Sequence, residues 1–541
     1  MSQANNELKN SVIKIISETN GLSLNNTLEL LSLSDQLSDK NKRLVQDFQQ
    51  MLWQFQGDSE TIENLLEHPV SDAFFSFFKN FPIPYCEEHI HLTGSLTPEF
   101  IWEHLKDMLD GNNREIYLQK IREVYGDESI KVESVSDVSE LIRLKPHEEF
   151  LQYLKILYLP KLILKNRYIH ELSAYHMAQT LYENYNVGSI RLKFTLSRST
   201  GIESEKIPGL ENVTEEDVVL GLYSGFMKYK NHNPKFDFTL TPCFRKEGAF
   251  FDQANFNSKH DHFVHQVASI LKILDKYPFL KDKLCEVDTV GDEKELYRKS
   301  HFSEMREGFR KLQYRGFKIK SHHGETWKIL RTGVQSVDNA MNIWHIDTLE
   351  HGISLGINPN FYFHRIYQHV TELNKKSEKI QKNSLFYREL EDMKWDSETT
   401  LQKILDGVPL SASEQKSFLK TKFHTAREIE HYQHDVLNRM INKKVSLVAL
   451  PSSNLKLTGS FPDFKDHPFS WWEKKGVKLG IGTDNYITLN TNFIKEMLIL
   501  LLSEPENLKI TKLLMIATKE ERRPYISHML WEMRRFTEDN D

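Results

Sequence analysis

Cys86-Glu87-Glu88-His89-Ile90-His91-Leu92-Thr93-Gly94-Ser95 is the stretch from which the fold can be read. Ile83, Tyr85 and their apolar neighbours make it a short buried strand. Side chains two apart on a strand share a face, so His89 and His91 project together, and two imidazoles on one face can share a metal ion. Gly94 ends the strand where a loop must pass close to whatever the histidines hold. An H-x-H pair alone is a weak signal. Four later stretches strengthen it, each setting a metal-ligating or proton-transfer group at an expected strand end: His322-His323-Gly324-Glu325, Glu350-His351-Gly352, Pro451-Ser452-Ser453-Asn454 and Gly482-Thr483-Asp484-Asn485.

Outward from that strand, short apolar runs alternate with helical stretches, the pattern of a parallel sheet with helical crossovers. Eight strands are expected, at about 83–92, 187–196, 237–245, 284–290, 317–323, 347–351, 445–451 and 477–483. Eight alternations predict an α/β fold, the (β/α)8 TIM barrel, whose active site is built from loops at the C-terminal ends of its strands. Each stretch quoted above sits at such an end. The expected organisation is a helical N-terminal extension over 1–80 and a barrel over 81–541, with helical insertions at about 101–182 and 357–440. In the extension, Leu44, Phe48, Leu52 and Phe55 fall at helical spacing and predict a cap packed on the main domain or on a partner subunit. In the first insertion, Phe150, Leu151 and Leu154 share a face that can wall the pocket, which makes Phe150 a substrate-binding candidate. The second is rich in Lys, Glu and Gln and carries an amphipathic pattern around Ile429, Tyr432, Val436 and Met440; a lid or an oligomer contact is its expected use.

The 541 residues can bury a large core, and 39% hydrophobic with 27% charged residues is the balance of a soluble globular protein. Acidic residues exceed basic ones by 76 to 70, and a formal charge of -6 gives no long-range attraction to nucleic acid or acidic membranes. Cys86, Cys243 and Cys285 all lie in expected strands rather than at staple spacings, which suits a reducing cytoplasm. The N-terminus lacks a basic segment followed by an apolar run, and no stretch reaches the roughly 18 apolar residues of a membrane span. A cytoplasmic location is therefore expected, with a homo-oligomer or protein partner engaged through 1–80 or 357–440.

His89, His91, one of His322 and His323, and Asp484 offer three imidazoles and a carboxylate, a zinc-type donor set with a position left for water. Strand alternation predicts that only one of His322 and His323 faces the barrel axis. Glu325 follows just beyond the strand, placed to donate a proton, and His351 at the end of the sixth strand is placed to orient water and take its proton.

As a set, these residues resemble the adenosine and AMP deaminase family of metal-dependent hydrolases, in an enlarged, bacterial-type form. The family's H-x-H-L-x-G matches His89 to Gly94, H-x-G-E matches His322 to Glu325, H-G matches His351-Gly352, P-x-S-N matches Pro451 to Asn454, and T-D-[DN] matches Thr483 to Asn485. Asp288-Thr289-Val290-Gly291-Asp292-Glu293 looks like the family's D-L-x-G-[DN]-E. The matches run in order over 83–485 and leave out the first 80 residues, the 357–440 insertion and the C-terminus.

The resemblance implies one zinc ion per chain on His89, His91, His322 and Asp484. It implies that Glu325 protonates purine N1 while metal-activated water attacks C6, with His351 assisting, Asp484 sharing in catalysis and ammonia leaving. Gly291 would meet purine N3 through its backbone N–H. Asn485 stands where the family often has a second Asp at N7, and its amide can still donate there. Thr93 stands where many adenosine deaminases carry an Asp that holds the ribose 5'-hydroxyl; its neutral side chain resembles the branch acting on nucleoside monophosphates. Arg198 and Arg245, just beyond the second and third strands, are the candidates to meet such a phosphate. The expected function is hydrolytic deamination of an adenine nucleoside or 5'-nucleotide, ribo or deoxy, to the inosine form. The alternative is a partner-dependent or non-catalytic deaminase-fold subunit of a larger, anti-phage assembly. A two-metal amidohydrolase would need a carboxylated lysine at a strand end, and no lysine near the end of the fourth strand fits.

Overall fold

The computed structural model describes residues 3–145, 148, 150–196, 207–210, 213–253, 255–458 and 461–518. Eight strands form one sheet: β1 Tyr85–His91, β2 Val187–Thr195, β3 Asp237–Arg245, β4 Glu286–Val290, β5 Lys318–His323, β6 Thr348–His351, β7 Ser446–Ala449 and β8 Leu479–Ile481. Each pairs in parallel with its neighbour in sequence. The ring joins through a parallel bridge between Ile90 and Asp484, where the His91 N–H donates to the Asp484 carbonyl at 2.8 Å and the Asp484 N–H to the His89 carbonyl at 2.9 Å. With helices in every crossover this is a (β/α)8 barrel, and its strands lie within two residues of the expected bounds.

Strand alternation makes the barrel interior unusual. On β2, Ile190, Leu192 and Phe194 are buried on the face towards the helices, while Arg191 and Lys193 point to the axis. Branched aliphatic side chains commonly fill such barrels; here ion pairs do. Arg191 meets Glu88 at 2.8 Å and also pairs with Glu286. Two residues further along the strands, Lys193 pairs with Asp288 and, at 2.9 Å, with Glu350, to which Lys320 also bonds at 3.1 Å. The histidines occupy the next level, at the strands' C-terminal ends.

The N-terminal segment forms helices Gln3–Glu18, Leu24–Leu33, Asp39–Gln56, Ile62–Glu67 and Pro69–Lys79. In the third, Val45, Phe48, Leu52 and Phe55 are buried, whereas Leu44 is half-buried, because the helix phase set after Ser38 turns Val45 inward. This segment is stitched to the chain's C-terminal part by the Asn25 N–H to the Pro505 carbonyl (3.0 Å) and the Ile510 N–H to the Leu22 carbonyl (2.9 Å). Between β6 and β7 lie helices Pro359–Lys375, Leu385–Asp392, Glu398–Leu405 and Ala412–Asn442. The last buries Ile429, Val436 and Met440. Its Gln433 amide donates to the carbonyls of Ser354 and Ile357 at 2.8 and 2.9 Å, docking the insertion on the loop after β6. Among the described residues no helix is long and apolar enough to cross a membrane, and none of the three cysteines forms a disulfide.

Candidate active site

β1, β5 and β8 deliver four donor groups to one point on the axis. The Nε2 atoms of His89 and His91 are 3.1 Å apart, and those of His91 and His322 are 3.3 Å apart. Asp484 Oδ1 lies 3.5 Å from His91 Nε2 and 3.9 Å from His89 Nε2. Donors bound to one zinc ion at 2.0–2.1 Å sit about 3.3 Å from one another, so these separations fit a shared cation. His351 borders the same point, since ligand atoms of His89, His351 and Asp484 all lie within 4.8 Å of one another. His322 faces the axis; His323 turns to the helices, where its Nδ1 meets Ser321 Oγ at 2.7 Å and its ring packs between Phe302 and Trp344.

Carboxylates behind the histidines decide which nitrogens carry protons. His89 Nδ1 lies 2.8 Å from Glu350 Oε2 and His322 Nδ1 lies 3.1 Å from Asp288 Oδ1. A carboxylate only accepts, so each Nδ1 carries the hydrogen and each Nε2 turns a lone pair to the shared point. Burial also pushes all three histidines well below their usual pKa, keeping them neutral. The lone pairs of His89 and His322 thus point to a space shared with His91 Nε2, 3.1–3.3 Å away, a nitrogen donor set that fits a metal. Lys193 bridges the two carboxylates. Burial alone would raise Glu350, but the Lys193 and Lys320 ammonium groups hold it below the usual carboxylate range. Ser453 Oγ donates to Asp484 Oδ2 at 2.6 Å, fixing the fourth donor, and Asp484 and His351 both adopt left-handed backbone, φ +66° and +69°, a strain common at functional sites.

Glu325 is buried beside this cluster. Its loop is clamped by Glu293, whose carboxylate accepts the N–H groups of Gly324 (3.1 Å), Glu325 (2.7 Å) and Thr326 (2.9 Å). Burial, reinforced by the negative charge of Asp484, pushes the Glu325 carboxyl up to about 8, so it carries its proton at neutral pH. His351 Nε2 lies 3.8 Å from Glu325 Oε1, and both ring nitrogens of His351 are buried without a hydrogen-bond partner. Buried polar atoms rarely stay unpaired, so His351 keeps hydrogen-bonding capacity beside the donor cluster.

The other expected contacts fall out unevenly. Gly291, at φ +106°, passes so close to Glu247 that a Cβ would meet its carboxyl at 2.2 Å. Thr93 is half-buried after β1. Asn485 donates to Asp484 Oδ1 at 2.5 Å and to the Tyr153 hydroxyl, leaving its own Oδ1 buried and unpartnered. Arg245 is engaged elsewhere: it forks onto Glu247 and stacks over the Phe250 ring at 4.2 Å, so it does not reach the site as an unpaired cation. Arg198 and the side chain of Phe150 lie outside the described residues. From the same helix as Phe150, Phe150–Ile156, Tyr153 roofs the cluster through Asn485. Tyr153, Lys193, Ser453 and the partner roles of Asp288, Glu293 and Glu350 escaped the sequence reading. Only the position of Asp288 and Glu293 in their motif signalled them.

No protein-family model matches the chain, and no curated protein matches it. Among solved structures, an amidohydrolase from Burkhoderia ambifaria with bound zinc superposes with a TM-score of 0.50 at 12% identity, over 86% of this chain and 93% of that one. The shared property is the fold. The apo N6-methyl-AMP deaminase of Arabidopsis thaliana follows at a TM-score of 0.48 and 11% identity, over 84% of this chain and 97% of that one. Arabidopsis ADAL complexed with GMP gives 0.48 and 12% over the same shares.

Proposed function

We propose that the chain is a metal-dependent hydrolytic deaminase of an adenine nucleoside or 5'-nucleotide, releasing ammonia and the inosine form. The observation that carries this reading is a buried Glu325, 3.8 Å from His351, beside four donors fit for one cation. His89, His91, His322 and Asp484 would hold a single zinc ion, which supplies the Lewis acidity that lowers the pKa of water to about 7. The chain's own groups do the rest. Glu325 gives its proton to N1 of the purine, drawing electrons from C6. His351 accepts a proton from the attacking water and steadies it on the C6 face. The Gly291 N–H orients the base at N3; the Asn485 amide, whose two N–H groups go to Asp484 and the Tyr153 hydroxyl, would have to leave one of them to meet N7, and Tyr153 closes the pocket against solvent. Thr93, neutral at the 5' end, accepts a phosphate that a carboxylate would repel.

Ammonia release by the zinc-loaded chain on adenosine, deoxyadenosine, AMP, dAMP, ATP and dATP tests the reading; no turnover of any member would sink it. Two further outcomes are expected. Because Glu325 must be protonated to donate, kcat/KM falls as pH rises through about 8, lower once a cation neutralises Asp484, and a pH-rate profile flat from 6 to 9 would remove that role. Thr93→Asp lowers kcat/KM for a 5'-monophosphate at least about tenfold relative to adenosine through like-charge repulsion; an unchanged ratio would remove Thr93 from the 5' end.

A further inference from the structure

A cavity of about 350 Å3 opens beside the loop that carries Glu325. One wall is Thr326 and Trp327, the two residues after Glu325; another is the helix Pro359–Lys375 of the 357–440 insertion, through Tyr362, Arg365 and His369. Lys294, from the loop after β4 that also carries Gly291 and Glu293, and Phe386 complete it. Leu457 belongs both to this wall and to the apolar cluster around Tyr153, so the cavity runs alongside the roof of the metal cluster.

Two properties point to a ligand. Among the described residues, every charged group lining the cavity is basic, in a chain whose formal charge is -6. No ion pair engages Lys294 or Arg365 among those residues, although Arg245, Arg191 and Lys193 are all committed to carboxylates. Cations lining one concave surface concentrate anions there, and a guanidinium matches phosphate oxygens in pairs. The second property is the aromatic wall. Trp327 and Tyr362 are buried up to their cavity faces, and Phe386 stacks on His369 at 4.2 Å. The wall is anchored: buried Glu389 accepts the Tyr362 hydroxyl and the Leu330 N–H, each at 2.7 Å, tying the insertion to the segment after β5.

We infer that this cavity binds the phosphate end of a nucleotide between Lys294 and Arg365, with Trp327, Tyr362 and Phe386 as its flat walls. The nucleotide identity rests on the deaminase reading above; the attraction for phosphate does not. The insertion thereby supplies the anion contact that Arg245, held by Glu247, leaves unmade. Two sources have this chemistry, the phosphate of the substrate itself and that of a second nucleotide acting on the Glu325 loop through Thr326 and Trp327.

The test is calorimetric titration of the zinc-loaded full chain with inorganic phosphate, for the native protein and for Lys294→Ala/Arg365→Ala. Both side chains are at least partly exposed, so folding is not at stake. Saturable binding, weakened at least about tenfold in the double variant and largely restored by Arg365→Lys with Lys294 intact, is expected. Absence of saturable binding, or an unchanged Kd in the double variant, overturns the inference. Kinetics then separate the sources. Competition by phosphate against nucleotide turnover assigns the cavity to the substrate, and a change in turnover without competition assigns it to a second nucleotide. Phosphate binding that depends on Arg365 in a protein inert towards every adenine compound would fell the deaminase reading and leave the anion site standing.

Discussion

Glu325→Gln is expected to lower kcat by about 10²–10⁴-fold, the usual contribution of a positioned general acid, while zinc content stays at one per chain. The substitution keeps the volume and the backbone hydrogen bonds through which Glu293 clamps the loop, so the pocket's shape survives. What disappears is the transferable proton: a glutamine amide can donate a hydrogen bond to N1 but cannot protonate it. Substrate affinity should therefore change far less than turnover. Zinc analysis and steady-state kinetics on the same preparation decide the matter. Near-native kcat would remove Glu325 as proton donor, and loss of zinc along with activity would make it part of the metal's support instead.

The second large effect is expected at a residue that touches neither substrate nor metal. Lys193 is buried, and its ammonium lies between Asp288 and Glu350, the two acceptors that hold His322 and His89 in register. In Lys193→Met the carboxylates are left facing each other with only Lys320 nearby. Breaking a buried pair by deleting one partner costs about 3–5 kcal/mol, and disturbing the partners of metal-bound histidines weakens metal affinity about 10–100-fold. Chelator competition should show the weakened zinc affinity, and thermal unfolding the lost stability. Adding Glu350→Gln to Lys193→Met restores charge balance, so stability should recover in part while zinc affinity does not. A folded Lys193→Met protein with native zinc affinity would contradict this account of the barrel interior.

Much of the site could be read along the chain because its signals are local. The period of two on a strand puts His89 and His91 on one face and separates His322 from His323, and the apolar runs before each motif mark where the barrel's C-terminal ends must be. These are properties of a few consecutive residues, and the structure places all four donor groups together. The helix phase after Ser38, which buries Val45 in place of Leu44, was already beyond that reach, because the pattern allows either residue to turn inward.

By itself, then, the sequence determined the alternation of strands and helices, the strand ends and the side chains with metal and proton-transfer chemistry. Tertiary structure alone decided how charges pair. Lys193 and Glu350 lie 157 positions apart and meet only when β2 and β6 face each other across a closed barrel. Arg245 looks available at the mouth until Glu247, two residues on, folds back onto its guanidinium, while Arg365, unremarkable in a charged insertion, is carried beside the Glu325 loop by a helix anchored through Glu389. Backbone periodicity is written in neighbouring residues, but an ion pair is fixed by distance and burial in three dimensions, and these exist only once the barrel has closed.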